Sequence, residues 1–226
     1  MMSQHSSTRG DASSGEIAVG STPSTQENGL RPANAIDEEH ILDATYELLL
    51  AIGMRRMTMA EIARAAGVSR ATLYRRWKSV REVVAALMTR EWSTLVSQVF
   101  QEQAATGRDR LVEGIVRIVR ATRTHPVMRK IVELDPDFLL PYLLQRRGRT
   151  AEQQLDLIEQ GLRAGIADGS IRHTDVAMQA KSLLLTAWSF ALTGPAFVDN
   201  APTSESERLD ELDGELRELL ARYLKP

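Results

Sequence analysis

Apolar residues recur at helical spacing, with few breaks, from Asp37 to the end of the chain. Ile41, Leu42, Tyr46, Leu48, Leu49 and Ile52 fall on one face of an amphipathic helix, and Gly53 suits its end. A second helix is expected from Thr58, because "TMAE" has the form of a capping box with Glu61 three positions on. Gly67 stops it after barely two turns, and Ser69 caps a third helix running to about Trp77. A fourth, long helix is expected from about Ser79 to Gln103. Further on, Leu111, Ile115, Ile118, Val119 and Thr122 share one helical face. Arg117, Arg120 and Arg123 lie on another, which is either a solvated surface or a contact for an acidic ligand. His125-Pro126, Asp135-Pro136 and Pro141 predict a broken helix, since a residue before proline leaves the helical region. Helices are expected again over Thr150–Ala167, Thr174 to about Leu192, and Ser204–Leu224, joined by the loops "ADGSIRHTD" and "TGPAFVDNAPTS". No segment alternates at period two, so the fold class is all-α.

Residues 1–34 break this regularity. They are rich in Ser, Thr, Gly, Gln and Pro, bury too little to offset ordering entropy, and are expected to be a disordered tail. The remainder divides into a small unit over 35–82 and a larger helical unit over 83–226. Apolar runs are too short to span a bilayer, and the first residues lack the order of a signal peptide. Cysteine is absent, which removes disulfides, thiolate metal sites and cysteine nucleophiles, and fits a cytoplasmic location.

Charge sharpens the picture at one place. Between Arg55 and Arg90, nine basic residues face only Glu61 and Glu82, about +7 by formal count in a chain of net charge −2. Either this is a solvated helical face or it meets a polyanion. The two short helices joined by "AGVS" decide between them, because they form a helix-turn-helix. Ile62, Ala63, Val68, Leu73 and Trp77 are its expected core. The second helix then exposes Arg70, Ala71, Thr72 and Arg75, a set suited to reading base edges in the major groove. Arginine pairs bidentately with guanine, Thr72 can hydrogen-bond or meet a thymine methyl, and Ala71 permits close approach. Thr58, Tyr74, Arg76, Lys78 and Arg81 are the candidate phosphate contacts.

The order "TMAEIARAAGVSRATLYRRW" resembles the TetR family of bacterial transcriptional regulators, with the match covering about Ile41 to Leu87. The resemblance implies a three-helix DNA-binding domain followed by a larger helical ligand-binding and dimerisation domain. It also implies a repressor that a small molecule releases from double-stranded operator DNA. One position departs from the pattern. Members usually carry a lysine six residues after the tyrosine, where it touches a phosphate, and here that position is Val80. Lys78 or Arg81 is the candidate substitute.

In the last helix Leu209, Leu212, Leu216, Leu219 and Tyr223 are spaced three-four-three-four. With Ala180, Leu184 and Ala187 they form either a homodimer interface or a seam packed on the chain's own core. A dimer implies a roughly palindromic operator with half-sites about 34–36 Å apart. Trp92, Phe100, Met128, Phe138, Tyr142, Met178, Trp188 and Phe190 are candidate lining for an effector pocket, although most such aromatics are ordinary core. The expected effector is apolar. The four histidines are scattered without metal spacing, and no phosphate-cradling glycine loop or nucleophile elbow occurs. We therefore expect no catalytic set, no cofactor and no metal. Two other readings stay open: an architectural or partner-controlled DNA binder without an effector, and a helical enzyme with an incidental basic hairpin.

Overall fold

Thr58 makes both halves of the expected capping box. Its hydroxyl accepts the Glu61 amide at 3.2 Å, and Glu61 Oε2 accepts the Thr58 amide at 2.9 Å. These bonds start α2 (Met59–Ala65) by satisfying amides that a helix end leaves unpaired. The computed structural model describes residues 33–99, 105–144, 148–198 and 204–226, which are mostly helical with no strand among them. The expected tail up to residue 32, Phe100 and the end of the fourth helix lie outside the described residues.

α1 (Ala33–Ile52) closes at Gly53, whose φ of 71° favours glycine. A 3₁₀ turn at Met54–Arg56 then leads to α2. Gly67, at φ 61°, turns the chain into α3 (Arg70–Arg76), where Ser69 Oγ accepts the Thr72 amide at 3.0 Å. The Val68 amide donates to Ala63 O at 3.0 Å, locking the two helices at their joint. Ile62, Ala63, Leu73 and Trp77 are buried and Val68 packs against them.

This core continues into α4 (Val80–Val99) through Val83, Val84 and Leu87. It also takes in Val127 and Ile131 of α6 (Pro126–Leu134), and Phe138 of a second 3₁₀ turn, Pro136–Phe138. Packing is thus continuous across residue 82, where the sequence places a boundary, and Ala33–Pro226 form one compact unit. The break at Pro126, Pro136 and Pro141 is present, with a short α7 (Leu140–Leu144) completing it.

A second core lies between α5 (Gly107–Thr124), α8 (Arg149–Ala167), α9 (Val176–Leu192) and α11 (Glu205–Leu224). Leu111, Ile115, Leu162, Leu183, Leu216 and Leu220 are among its buried residues. At its far end α5 and α8 touch backbone to backbone: a Cβ on Gly107 would sit 2.6 Å from Gly165 Cα. The segment after Thr193, expected as loop, begins with a short α10 (Gly194–Val198).

The arginine face of α5 meets α11. Arg120 Nε lies 3.0 Å from Asp213 Oδ2, Arg120 Nη2 lies 2.7 Å from Asp210 Oδ1, and Arg123 Nη2 bonds Asp213 Oδ1. Asp213 and Arg123 are 1% and 4% exposed, so Arg123 makes a buried ion pair within the fold and is neither solvated nor aimed at a ligand, while Arg120 stays 55% exposed. Arg117 also has an interaction partner.

Candidate nucleic-acid interface and ligand cavity

α3 is held from below and bare above. Leu73 is fully buried and Trp77 nearly so, while Arg70, Ala71, Tyr74 and Arg75 are exposed and Thr72 is half-buried. The Thr72 hydroxyl lies 2.8 Å from Ser69 Oγ, so it is tied to the cap at the helix start. The candidate base-reading residues therefore share one end and one side of a single exposed helix. Such a helix matches the width of the major groove.

The candidate phosphate contacts separate. Tyr74 and Lys78 are exposed on this side, and Thr58 is exposed with its hydroxyl engaged by Glu61. Arg76 turns toward α1, with Nη1 3.0 Å from Glu38 Oε2. Arg81 turns toward the other half of the fold, donating from Nη2 to Asp137 O at 3.0 Å and lying 5.7 Å over the Phe138 ring. The Lys78 backbone amide donates to Glu82 Oε2 at 2.8 Å, fixing the start of α4 and leaving its side chain outside that bond.

The segment around Phe138 is pinned to the helix-turn-helix at another point. Asp135 is buried, and its Oδ2 accepts the Met54 amide at 2.8 Å. Arg55 Nε lies 3.4 Å from Asp135 Oδ1, and Arg55 Nη2 lies 2.8 Å from Asp137 Oδ2. The turn before α2 is therefore fastened to the segment that follows α6.

Above this junction lies a cavity of about 750 Å³, within the range of small-molecule sites. Trp92, Met128, Phe138, Tyr142 and Trp188 line it. Met178 and Phe190 do not. Met178 is exposed on α9, and Phe190 packs against the second core. Apolar side chains of α4, α5, α8 and α9 make up a large part of the wall.

Three polar groups in the wall escaped the sequence reading. Trp188 Nε1 donates to Gln154 Oε1 at 2.9 Å. Glu91 Oε2 faces His125 Nε2 at 3.3 Å. Glu91 Oε1 accepts from Arg90, whose Nη1 reaches Asp43 Oδ1 on α1 at 2.6 Å. Burial opposes the charge on Arg90, but hydrogen bonds to Glu91 and Asp43 outweigh it and hold the guanidinium above its ordinary pKa. Glu91 carried a readable signal, since it interrupts the apolar face of Met88, Trp92 and Leu95. His125 gave none beyond the proline that follows it.

The expected seam of α11 divides into two stripes. Leu216, with Leu220 and Leu224, is buried in the chain's own core, and so are Ala180, Leu184 and Ala187 of α9. Leu219 and Tyr223 are exposed, and Leu209 and Leu212 are half-buried. Phe197 of α10 is 85% exposed and Leu185 of α9 is 64% exposed, so an apolar face remains on α9, α10 and α11. Among the described residues no helix is long and apolar enough to cross a membrane, and no group of side chains could hold a metal ion.

Comparison with known proteins agrees with this geometry. Residues 41–87 match the family model described as bacterial regulatory proteins, tetR family. An uncharacterized HTH-type transcriptional regulator of Mycobacterium tuberculosis is 31% identical over 151 residues, covering 66% of this chain and 77% of its own. The R. erythropolis transcriptional repressor QsdR superposes with a TM-score of 0.61 at 16% identity, over 85% of this chain and 97% of QsdR. FadR from Bacillus subtilis, solved in complex with stearoyl-CoA, gives a TM-score of 0.57 at 19% identity, over 82% of this chain and 98% of FadR.

Proposed function

From the premise that this chain belongs to the tetR family of bacterial regulatory proteins, and so is an HTH-type transcriptional regulator and not an enzyme, we propose that it is a cytoplasmic homodimeric repressor released from its operator by a small, mainly apolar molecule. One observation carries this reading. The cavity is walled by α4, which continues from the helix-turn-helix, and by Phe138, whose segment is pinned to Met54 and Arg55 just before α2. A ligand there touches the elements that hold the reading helix. It acts through its different affinity for two spacings of the paired reading helices, with α4 as the lever. FadR from Bacillus subtilis, which shares this fold, was solved with stearoyl-CoA, a ligand with a long apolar chain on an anionic head. Residues 35–82 serve as the DNA-binding unit and 83–226 as the effector and dimer unit.

The test is to select bound sites from random duplex DNA and then titrate the complex with a panel of apolar compounds. A roughly palindromic site and release by a compound that also raises thermal stability support the reading. Tight site-specific binding that no stabilising compound alters would favour a regulator controlled without an effector.

Within this reading Lys78 takes the phosphate contact missing at Val80, because Arg81 is engaged by Asp137 and Phe138. Lys78→Ala is expected to flatten the salt dependence of operator binding by about one unit in log–log slope, and Arg81→Ala to leave it unchanged. Fluorescence anisotropy over a salt series measures both.

The dimer forms through the exposed stripe of Leu185, Phe197, Leu219 and Tyr223, since residues already buried in one protomer have no surface to offer a second. Leu185→Asp is expected to convert the dimer to a folded monomer in analytical ultracentrifugation. A dimer of unchanged stability would move the interface elsewhere.

A further inference from the structure

Among the polar groups of the cavity wall, Glu91 is a largely buried carboxylate, only 16% exposed. Its countercharge is shared. Arg90 lies 2.8 Å from Glu91, 2.6 Å from Asp43 and 3.5 Å from Glu39, so one guanidinium serves three carboxylates. Asp43 and Glu39 are exposed and lie outside the cavity wall, so they draw part of the guanidinium's charge away from Glu91. His125 Nε2 faces Glu91 Oε2 at 3.3 Å, while His125 Nδ1 is buried without a hydrogen-bond partner. Glu91 Oε1 takes both Arg90 bonds, so Oε2 keeps capacity for a further donor. The cationic groups of the wall are committed or peripheral. Arg76 pairs with Glu38, Arg81 donates to Asp137 O, and Arg149 is exposed at the start of α8.

We propose that Glu91 is the polar anchor of this cavity and selects apolar ligands carrying a protonated amine over those carrying a carboxylate. The inference rests on the reading of the cavity as a ligand site and names the chemistry of what enters it. An ammonium at Glu91 Oε2 meets a carboxylate whose guanidinium partner is shared, and it donates a charge-assisted hydrogen bond in a water-poor setting. The indoles of Trp92 and Trp188 add apolar surface to the cavity wall. A carboxylate placed there meets repulsion and leaves Glu91 Oε2 without a donor. An alcohol of equal length is the neutral reference, able to donate but carrying no charge.

All three tryptophans of the chain, Trp77, Trp92 and Trp188, line the cavity, so their fluorescence reports occupancy directly. The full-length protein is titrated with decylamine, decanol and sodium decanoate at pH 7.5, below their aggregation limits. Wild type is expected to bind decylamine about tenfold more tightly than decanoate. Glu91→Gln should bring that ratio to about one or below while decanol binds as before. Equal or tighter binding of decanoate to wild type overturns the proposal, as does a ratio that Glu91→Gln leaves unchanged, or binding of none of the three. Should the variant fail to fold, the head-group comparison on wild type decides alone. Binding of selected DNA by the unliganded protein is measured in parallel. A lost amine preference with intact DNA binding rejects the anchor alone, whereas absent DNA binding rejects the regulator reading.

Discussion

Asp213→Ala should lower the unfolding free energy by about 3–5 kcal/mol, enough to remove much of the stability of a typical domain. Asp213 sits in α11 with both carboxylate oxygens engaged by α5, one by Arg120 Nε at 3.0 Å and the other by Arg123. Arg123 is the critical partner, because its side chain is almost wholly buried and its Nη1 already lacks a hydrogen bond. Removing the carboxylate leaves a guanidinium in the interior without a counterion, and arginine does not shed its proton. Asp210→Ala is the control. It removes a partner of the same Arg120, but both groups are largely exposed, so the cost should stay below about 1 kcal/mol. Urea unfolding followed by circular dichroism measures both. The double replacement Asp213→Leu with Arg123→Met should recover most of the loss, since the pair's absence is far cheaper than its breakage. If Asp213→Ala and Asp210→Ala cost the same, the burial of this pair does not control stability.

The other large effect is on DNA. Arg70→Ala and Arg75→Ala are each expected to weaken operator binding by about 1–3 kcal/mol and to relax preference at the base pair each one reads. Both residues are exposed on a helix whose opposite side is fixed by Leu73 and Trp77, so truncation removes contacts without disturbing the core. The signature separates them from Lys78. A base-reading arginine changes which sequences are preferred, whereas a phosphate-binding lysine weakens all sequences alike and changes the salt slope. Binding to the selected operator and to single-base variants of it resolves the two cases. Uniform weakening across all variants would move Arg70 and Arg75 to the phosphate class.

The helix-turn-helix was legible from sequence because its determinants are local. A capping box spans four residues, Gly67 supplies its own backbone conformation, and the periodicity of a short helix separates Leu73 from Arg70 and Arg75 without a partner in view. Pocket residues were legible in part. Trp92, Met128, Phe138, Tyr142 and Trp188 are apolar residues on cavity-facing elements, but nothing in periodicity distinguishes them from Met178 on an outer face.

The phase of the last helix shows the limit most clearly. Leu212, Leu216, Leu219 and Tyr223 form one acceptable heptad stripe, and Leu216, Leu220 and Leu224 form another. An amphipathic pattern with leucine on two neighbouring stripes does not say which faces the core. Packing against α5 decides it, because burying Asp213 beside Leu216 and Leu220 requires Arg123 to be opposite.

The sequence by itself determined the all-helical fold, the helix-turn-helix with its caps, and the exposed basic face of α3, since these follow from interactions within a few residues. Only the tertiary structure decided the partners of the remaining charges. Arg76 went to Glu38, Arg55 to Asp135 and Asp137, Arg123 to Asp213, and Glu91 to Arg90 and His125. Of these pairs only Arg90 and Glu91 are neighbours in the chain. Charge pairing depends on distance in space, and for residues far apart in the chain that distance is set by how whole helices pack.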